Sequence, residues 1–168
     1  FISISPLALL TLSACGGNPS SSVQSITGNI IKGPLSNALV FLDLNGNGTM
    51  DGSETSVRTD ANGSFTLSAT GSNYTIVALT DNTTVDTSSG SVLNGVILKA
   101  PSGASVVTPT TTLMEEGGLT AAQVAEGLNL PDDVDPLTFN PFAAGVNAAD
   151  ALAVEKVSQQ IMTAVSSF

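Results

Sequence analysis

Ala38-Leu39-Val40-Phe41-Leu42 runs directly into Asp43-Leu44-Asn45-Gly46-Asn47-Gly48-Thr49-Met50-Asp51-Gly52-Ser53-Glu54, and Thr55-Ser56-Val57-Arg58-Thr59 follows at once. The first five residues form an apolar run of the length and β-branched or aromatic character expected of a buried strand. The last five alternate apolar and polar residues, as in a half-buried strand. Between them lies a twelve-residue segment with oxygen-bearing residues at its first, third, fifth, ninth and twelfth positions and Gly48 at its sixth. That spacing fits the calcium-loop pattern D-x-[DN]-x-[DN]-G-x5-E without departure. The chain therefore reads as strand, ion-binding loop, strand.

Calcium is a hard cation that takes six to eight oxygen ligands. Asp43, Asn45 and Asn47 offer side-chain oxygens, Thr49 its backbone carbonyl, Asp51 a direct or water-bridged oxygen, and Glu54 both carboxylate oxygens. A solvated Asn/Gly turn would explain the glycines and asparagines, but it has no need of acids at the first, ninth and twelfth positions. With Asn at two of the first three ligand positions, the loop carries fewer charges than an all-acid loop would. Its expected affinity lies near the ~0.1–1 mM range of extracellular modules. No amphipathic helix flanks the loop, so it has no helix pair to open. A structural ion ordering a strand connection is expected, not a sensor.

The start of the chain, 1–14, is uncharged and mostly apolar, and it ends in Leu12-Ser13-Ala14-Cys15-Gly16. A short apolar run before small residues has the form of a secretory signal, and it is shorter than the ~20 residues a membrane-spanning helix needs. The segment resembles the lipobox of bacterial lipoproteins. That resemblance implies cleavage before Cys15, lipidation of Cys15, and anchoring of the chain to a membrane. Cys15 is the only cysteine, so no internal disulfide can form. The signal lacks its basic n-region and initiator Met, as expected of an N-terminally truncated sequence. Residues 15–25, rich in Gly and Ser, read as a flexible tether. Gly16 stands where lipoproteins retained at the inner membrane resemble one another in carrying Asp, which favours the outer membrane.

Fourteen acidic residues face four basic ones, and there is no His. A basic nucleic-acid-binding patch is therefore not expected, and attraction to anionic lipid heads cannot supply the anchoring. Without His no Ser-His-Asp triad can be built within the chain, and the one thiol is claimed by the lipobox. Glu115 and Glu116 are adjacent on a helix and point in different directions. Asp132, Asp133 and Asp135, before Pro136, read as caps of turns in preference to a second metal site, and Asp60 as a turn residue in preference to a further ligand of the first site. The chain is not expected to be an enzyme.

Residues 26–107 read as β throughout. Strands are expected at 26–32, 38–43, 55–59, 64–68, 73–79, 92–98 and 105–107, with turns at 33–37 and 60–63 and a polar loop at 81–91. About seven short strands at this spacing predict a β-sandwich. The phrase Gly28…Pro34-Leu35…Ala38-Leu39-Val40, followed by Thr59-Asp60-Ala61-Asn62-Gly63-Ser64-Phe65, resembles the carboxypeptidase regulatory-like, transthyretin-like family of β-sandwiches. The loop inserted between the strands is similar to that of the B-type repeats of bacterial surface adhesins. The resemblance spans about half of the chain. It implies a sandwich fold, a bound calcium ion, and a role as a stalk, spacer or accessory module.

From residue 108 the pattern becomes helical, giving a small helical subdomain over 108–168 and a mainly β fold with C-terminal helices, an α+β chain. Thr108-Pro109 reads as a cap followed by proline in the first turn, with a stop at Gly117-Gly118. Thr120 and Gln123 form a capping box flanked by Leu119 and Val124 as a staple, and that helix ends near Gly127. One short helical turn is expected at 140–142. Asn147 opens the last helix, whose Val154, Val157, Ile161, Val165 and Phe168 form an apolar stripe. The expected function is a lipid-anchored cell-envelope protein with a calcium-stabilised sandwich, adhesive or spacing in role, with a surface protein or polysaccharide as partner. The alternative is an accessory carbohydrate-binding or regulatory module of a larger surface enzyme. The scarcity of aromatics and the absence of Trp weigh against sugar stacking.

Overall fold

The computed structural model describes residues 22–165. Cys15, the signal segment and most of the tether lie outside them, as does Phe168. Ten strands precede three helices. The strands are β1 (Val23–Ile30), β2 (Leu35–Ser36), β3 (Leu39–Asp43), β4 (Ser56–Arg58), β5 (Ser64–Thr70), β6 (Thr75–Leu79), β7 (Val85–Asp86), β8 (Ser91–Val92), β9 (Ile97–Pro101) and β10 (Val106–Val107). The helices are α1 (Pro109–Gly117), α2 (Ala121–Gly127) and α3 (Ala148–Val165). The fold is mainly β with C-terminal helices, as the hydropathy pattern predicts.

Two sheets share one core. A four-stranded antiparallel sheet has the order β4-β3-β6-β9, and a three-stranded sheet the order β10-β1-β5. Period-two alternation decides which side chains face inward. Val40 and Leu42 of β3, Ile76 and Ala78 of β6, and Leu98 and Ala100 of β9 point inward from the first sheet, and Ile30, Phe65, Leu67 and Ala69 meet them from the second. In β5 the alternation is complete: Phe65, Leu67 and Ala69 are buried while Thr66, Ser68 and Thr70 face water. Close backbone approach dictates some glycines. A Cβ on Gly63 would stand 2.6 Å from the Ile30 carbonyl oxygen, and its φ of 73° is left-handed.

The sequence reading undercounted the strands. A third, small sheet of order β2-β7-β8 occupies the segments read as a turn and a polar loop. Two-residue strands carry too little hydropathy pattern to be seen. Their pairing is fixed by Asp86, whose buried carboxylate pairs with Lys32 at 3.3 Å and accepts bonds from the Ser88 hydroxyl (2.6 Å) and amide (3.0 Å). A Cβ on Gly33 would collide with that carboxylate. The single strand expected at 92–98 is broken in two. Gly95 is left-handed at φ 77°, and the Thr80 hydroxyl takes the Val96 amide at 2.8 Å. β1 begins at Val23, so residues 23–25, expected in the tether, are strand paired to Ser68, Ala69 and Thr70.

The helices begin where the caps place them. The Thr108 hydroxyl accepts the Thr111 amide at 3.0 Å, Pro109 follows, and Gly118 closes α1 with φ 59°. Thr120 and Gln123 make the reciprocal capping box of α2. Val124 is buried, while Leu119 stays exposed, so the staple's outer half is open. Residues 140–142 form a turn, not a helix, with Asn140 Oδ1 accepting the Phe142 amide at 2.9 Å. α3 buries Ala151, Val154 and Ser158, with Met162 reaching the core; Val157 and Ile161 are only half-buried. The expected stripe is thus rotated toward small residues, which permit close packing on α1. Among the described residues no helix is long and apolar enough to cross a membrane.

Two acids of this region, the partly exposed Asp81 and the buried Asp86, set an acid limit. The Thr83 hydroxyl, then Arg58 at 2.7 Å, hold Asp81 down to about 2. Burial pushes Asp86 up, but Ser88 and Lys32 outweigh it and its carboxyl lies below the ordinary range. Depressed carboxylates contribute stability above their unfolded pKa and lose it as pH falls through the folded one. The melting temperature should therefore hold near neutrality and fall between pH 3.8 and about 2. Asp86→Asn should cost about 1–3 kcal/mol at pH 7 and flatten the acid limb; an unchanged melting curve from pH 7 to 2 would contradict this.

Candidate metal centre

The loop is built outward from Asp43, the last residue of β3. Its register partner is Thr75 of β6, and both face the outer side of the four-stranded sheet. Asp43 is 3 % exposed, an unusual position for a carboxylate unless its oxygens are engaged. They are: Oδ1 accepts the Asn45 amide (3.2 Å) and the Gly46 amide (2.7 Å), and Oδ2 accepts the Gly48 amide (2.7 Å). One carboxylate thus curls the first half of the loop around itself. Gly46 and Gly48, at φ 74° and 70°, supply the left-handed steps this requires.

The same turn repeats along the loop. Asn45 Oδ1 accepts the Asn47 amide at 3.0 Å, and Asn47 Oδ1 accepts the Thr49 amide at 2.7 Å. Three successive side-chain oxygens at alternate positions are thereby drawn against the backbone. The second half is tied by Glu54. Its Oε1 accepts the Leu44 amide at 2.9 Å and its Oε2 the Asp51 amide at 2.9 Å. The base is closed where the Leu42 amide meets the Thr55 carbonyl at 3.2 Å.

Five of the six expected ligand side chains or backbone positions are thus interlinked around one loop, and Thr49 joins them through its amide. Among the described residues, however, no group of three or more acidic, His or Cys side chains stands close enough together to hold a metal ion. Asp51 is engaged within the loop. Its Oδ2 accepts the side-chain amides of Asn45 (2.7 Å) and Asn47 (3.0 Å). The loop thus satisfies this acid with side-chain amide N–H groups. The donor chemistry, all oxygen with three carboxylates, fits calcium. A cation drawing on Asp51 Oδ2 would compete with these two amide donors.

Sequence reading missed what surrounds the loop. Thr75 donates to Glu115 Oε2 at 3.0 Å, while the neighbouring Glu116 pairs with Lys99 at 2.7 Å. The two adjacent acids of α1 diverge, as helix geometry demands. An open cavity of about 260 Å³ beside the loop is walled by Asp43, Asn45, Asn73 and Tyr74. Asp60, read as a turn former, accepts the amides of Asn62 (2.8 Å) and Ser64 (2.9 Å). Asp135 accepts the Leu137 amide at 2.9 Å. Comparison with family models, with curated proteins and with solved structures finds no match to this chain.

The two loop acids have separable tasks. Asp43→Ala strands three amide donors and should cost about 2–4 kcal/mol with or without calcium. Asp51→Asn leaves the backbone hydrogen bonds intact and weakens only the two side-chain bonds from Asn45 and Asn47, so it should cost less than Asp43→Ala in chelator and more in calcium than in chelator. Equal effects of both variants in chelator would contradict this division.

Proposed function

We propose that the chain is a structural module of the bacterial cell envelope, anchored through lipidated Cys15 and stiffened by calcium held at 43–54. Asp43, Asn45, Asn47, Thr49, Asp51 and Glu54 are its ligands. The observation that carries this reading is the run of three alternate-position turns rooted on the buried Asp43 carboxylate. The turns draw the side-chain oxygens of the first, third and fifth positions against the backbone of a loop that joins two strands of a sheet. An ion there fixes the connection between β3 and β4 and has no helix pair to move, so its role is static. The same form suits the transthyretin-like modules that the 28–65 segment resembles, which serve as stalks and spacers. Adhesion to a surface protein or polysaccharide is the role this reading assigns to the exposed face.

Displacing two amide donors from Asp51 lowers the net gain of binding, which agrees with a Kd in the extracellular range of ~0.1–1 mM. An ion that binds only the folded state stabilises it by mass action. At about ten times its Kd, calcium should add about 1.4 kcal/mol and raise the melting temperature by about 3–6 °C over chelator. Equal melting in calcium and in chelator would refute the ion's structural role. Separately, the full chain with its signal should fractionate with membranes, and Cys15→Ser should release it. Retention of that variant would refute the anchor.

A further inference from the structure

The whole sequence has four cations, Lys32, Arg58, Lys99 and Lys156. Lys32 and Arg58 serve Asp86 and Asp81, away from the loop. Lys99 is placed differently. It lies on β9 opposite Val77, on the same outer face of the sheet as Asp43 and Thr75. Its ammonium stands 3.8 Å from where a Cβ on Gly48 would be. Gly48 is the residue whose amide binds Asp43 Oδ2. Lys99 Nζ therefore reaches across the sheet to the sharp turn of the loop, while it also pairs with Glu116 Oε1 at 2.7 Å. Its position is not left to a flexible stem. The Lys99 amide donates to Thr112 Oγ1 at 2.9 Å, and its carbonyl accepts from Thr111 Oγ1 at 2.7 Å, so the backbone beneath it is bolted to α1. The side chain is 26 % exposed.

We propose that Lys99 is a resident cation that sets the loop's calcium affinity, with Glu116 as the counter-charge that draws it off the loop. This rests on the calcium reading above. The loop holds three carboxylates and gathers charge that the chain must tolerate without metal. An ammonium beside Gly48 offsets part of that charge in the free state. When a divalent cation enters, the same ammonium lies within a Debye length of it, about 10 Å at 0.1 M salt, and opposes it. Glu116 reduces the opposition by sharing the ammonium. Affinity is then a balance between two residues that are not ligands. It is also linked to α1, whose Glu116 and Thr112 hold Lys99 where it is.

The test is calcium titration by calorimetry at low and moderate salt on the full chain, with wild type, Lys99→Met, Glu116→Gln and Asp51→Asn. Lys99→Met should bind calcium about three- to tenfold more tightly, and Glu116→Gln more weakly by a similar factor, both differences shrinking as salt rises. Should Lys99→Met fail to fold by circular dichroism, Glu116→Gln carries the test alone, since its side chain is 60 % exposed. Wild-type binding that is abolished by Asp51→Asn but unchanged in Lys99→Met and Glu116→Gln overturns the role of Lys99 and leaves the calcium site standing. A wild type that takes up no calcium overturns both.

Discussion

Strands β3 and β6 are buried on both faces, and the requirement to keep water from each of them organises the rest of the molecule. Val40, Leu42, Ile76 and Ala78 fill the core shared with the second sheet, and Phe41 and Val77 on the opposite face are equally buried. A sheet in a simple sandwich leaves its outer face wet. Here that face is covered, and the covering element is identified by its polar contacts: Thr75 and Lys99, which point outward, meet Glu115 and Glu116 of α1. The helical part is therefore not an appendage. Its first helix packs along β9 and bonds to the outer face, and the near-continuous apolar run at 39–42 is the sequence signature of strands covered on both sides.

A layer needs its edges closed as well as its faces covered. β9 is an edge strand of the four-stranded sheet, and an open edge invites pairing with other chains. The threonines of α1 close it. Thr111 and Thr112 satisfy the Lys99 carbonyl and amide that no strand reaches. At the opposite corner the Thr59 hydroxyl accepts the Ala38 amide (2.9 Å) and donates to the Leu35 carbonyl (2.6 Å), tying the start of β3 to the small third sheet. The abundance of Thr in this chain is thus partly structural. A short hydroxyl that can both donate and accept is the smallest group able to satisfy a pair of buried backbone atoms.

Those roles explain what could be read from the sequence and what could not. Long alternating or apolar runs announced β1, β3, β5 and β6, and the cap residues Thr108, Thr120 and Asn147 announced the three helices. Gly28, Thr59, Asp60, Gly63 and Phe65, which carried the resemblance to a sandwich family, each have a physical task. Gly28 lacks room for a Cβ beside the Ser105 carbonyl and the Phe65 ring, and Asp60 and Gly63 make the turn into β5. The third sheet was hidden because its two-residue strands are specified by Asp86 and Gly33, contacts 53 residues apart in sequence, not by local pattern. The stripe of α3 was misjudged because hydropathy ranks Val157 above Ser158, whereas close helix packing ranks by size.

The loop itself was legible as a list of oxygens but not as an electrostatic balance. Spacing identifies which residues can reach an ion; it says nothing of what occupies their lone pairs in its absence. In this chain the answer is the protein's own N–H groups: backbone amides on Asp43 and Glu54, and side-chain amides on Asp51. The two Asn residues thus act twice. They reduce the charge that would repel the acids from one another, and they supply the side-chain donors to Asp51. An all-Asp loop would bind more tightly but would hold five like charges together whenever calcium was lacking. Under the proposed calcium role, a loop already tied by its own hydrogen bonds suits a surface where calcium is plentiful and strong affinity confers no advantage.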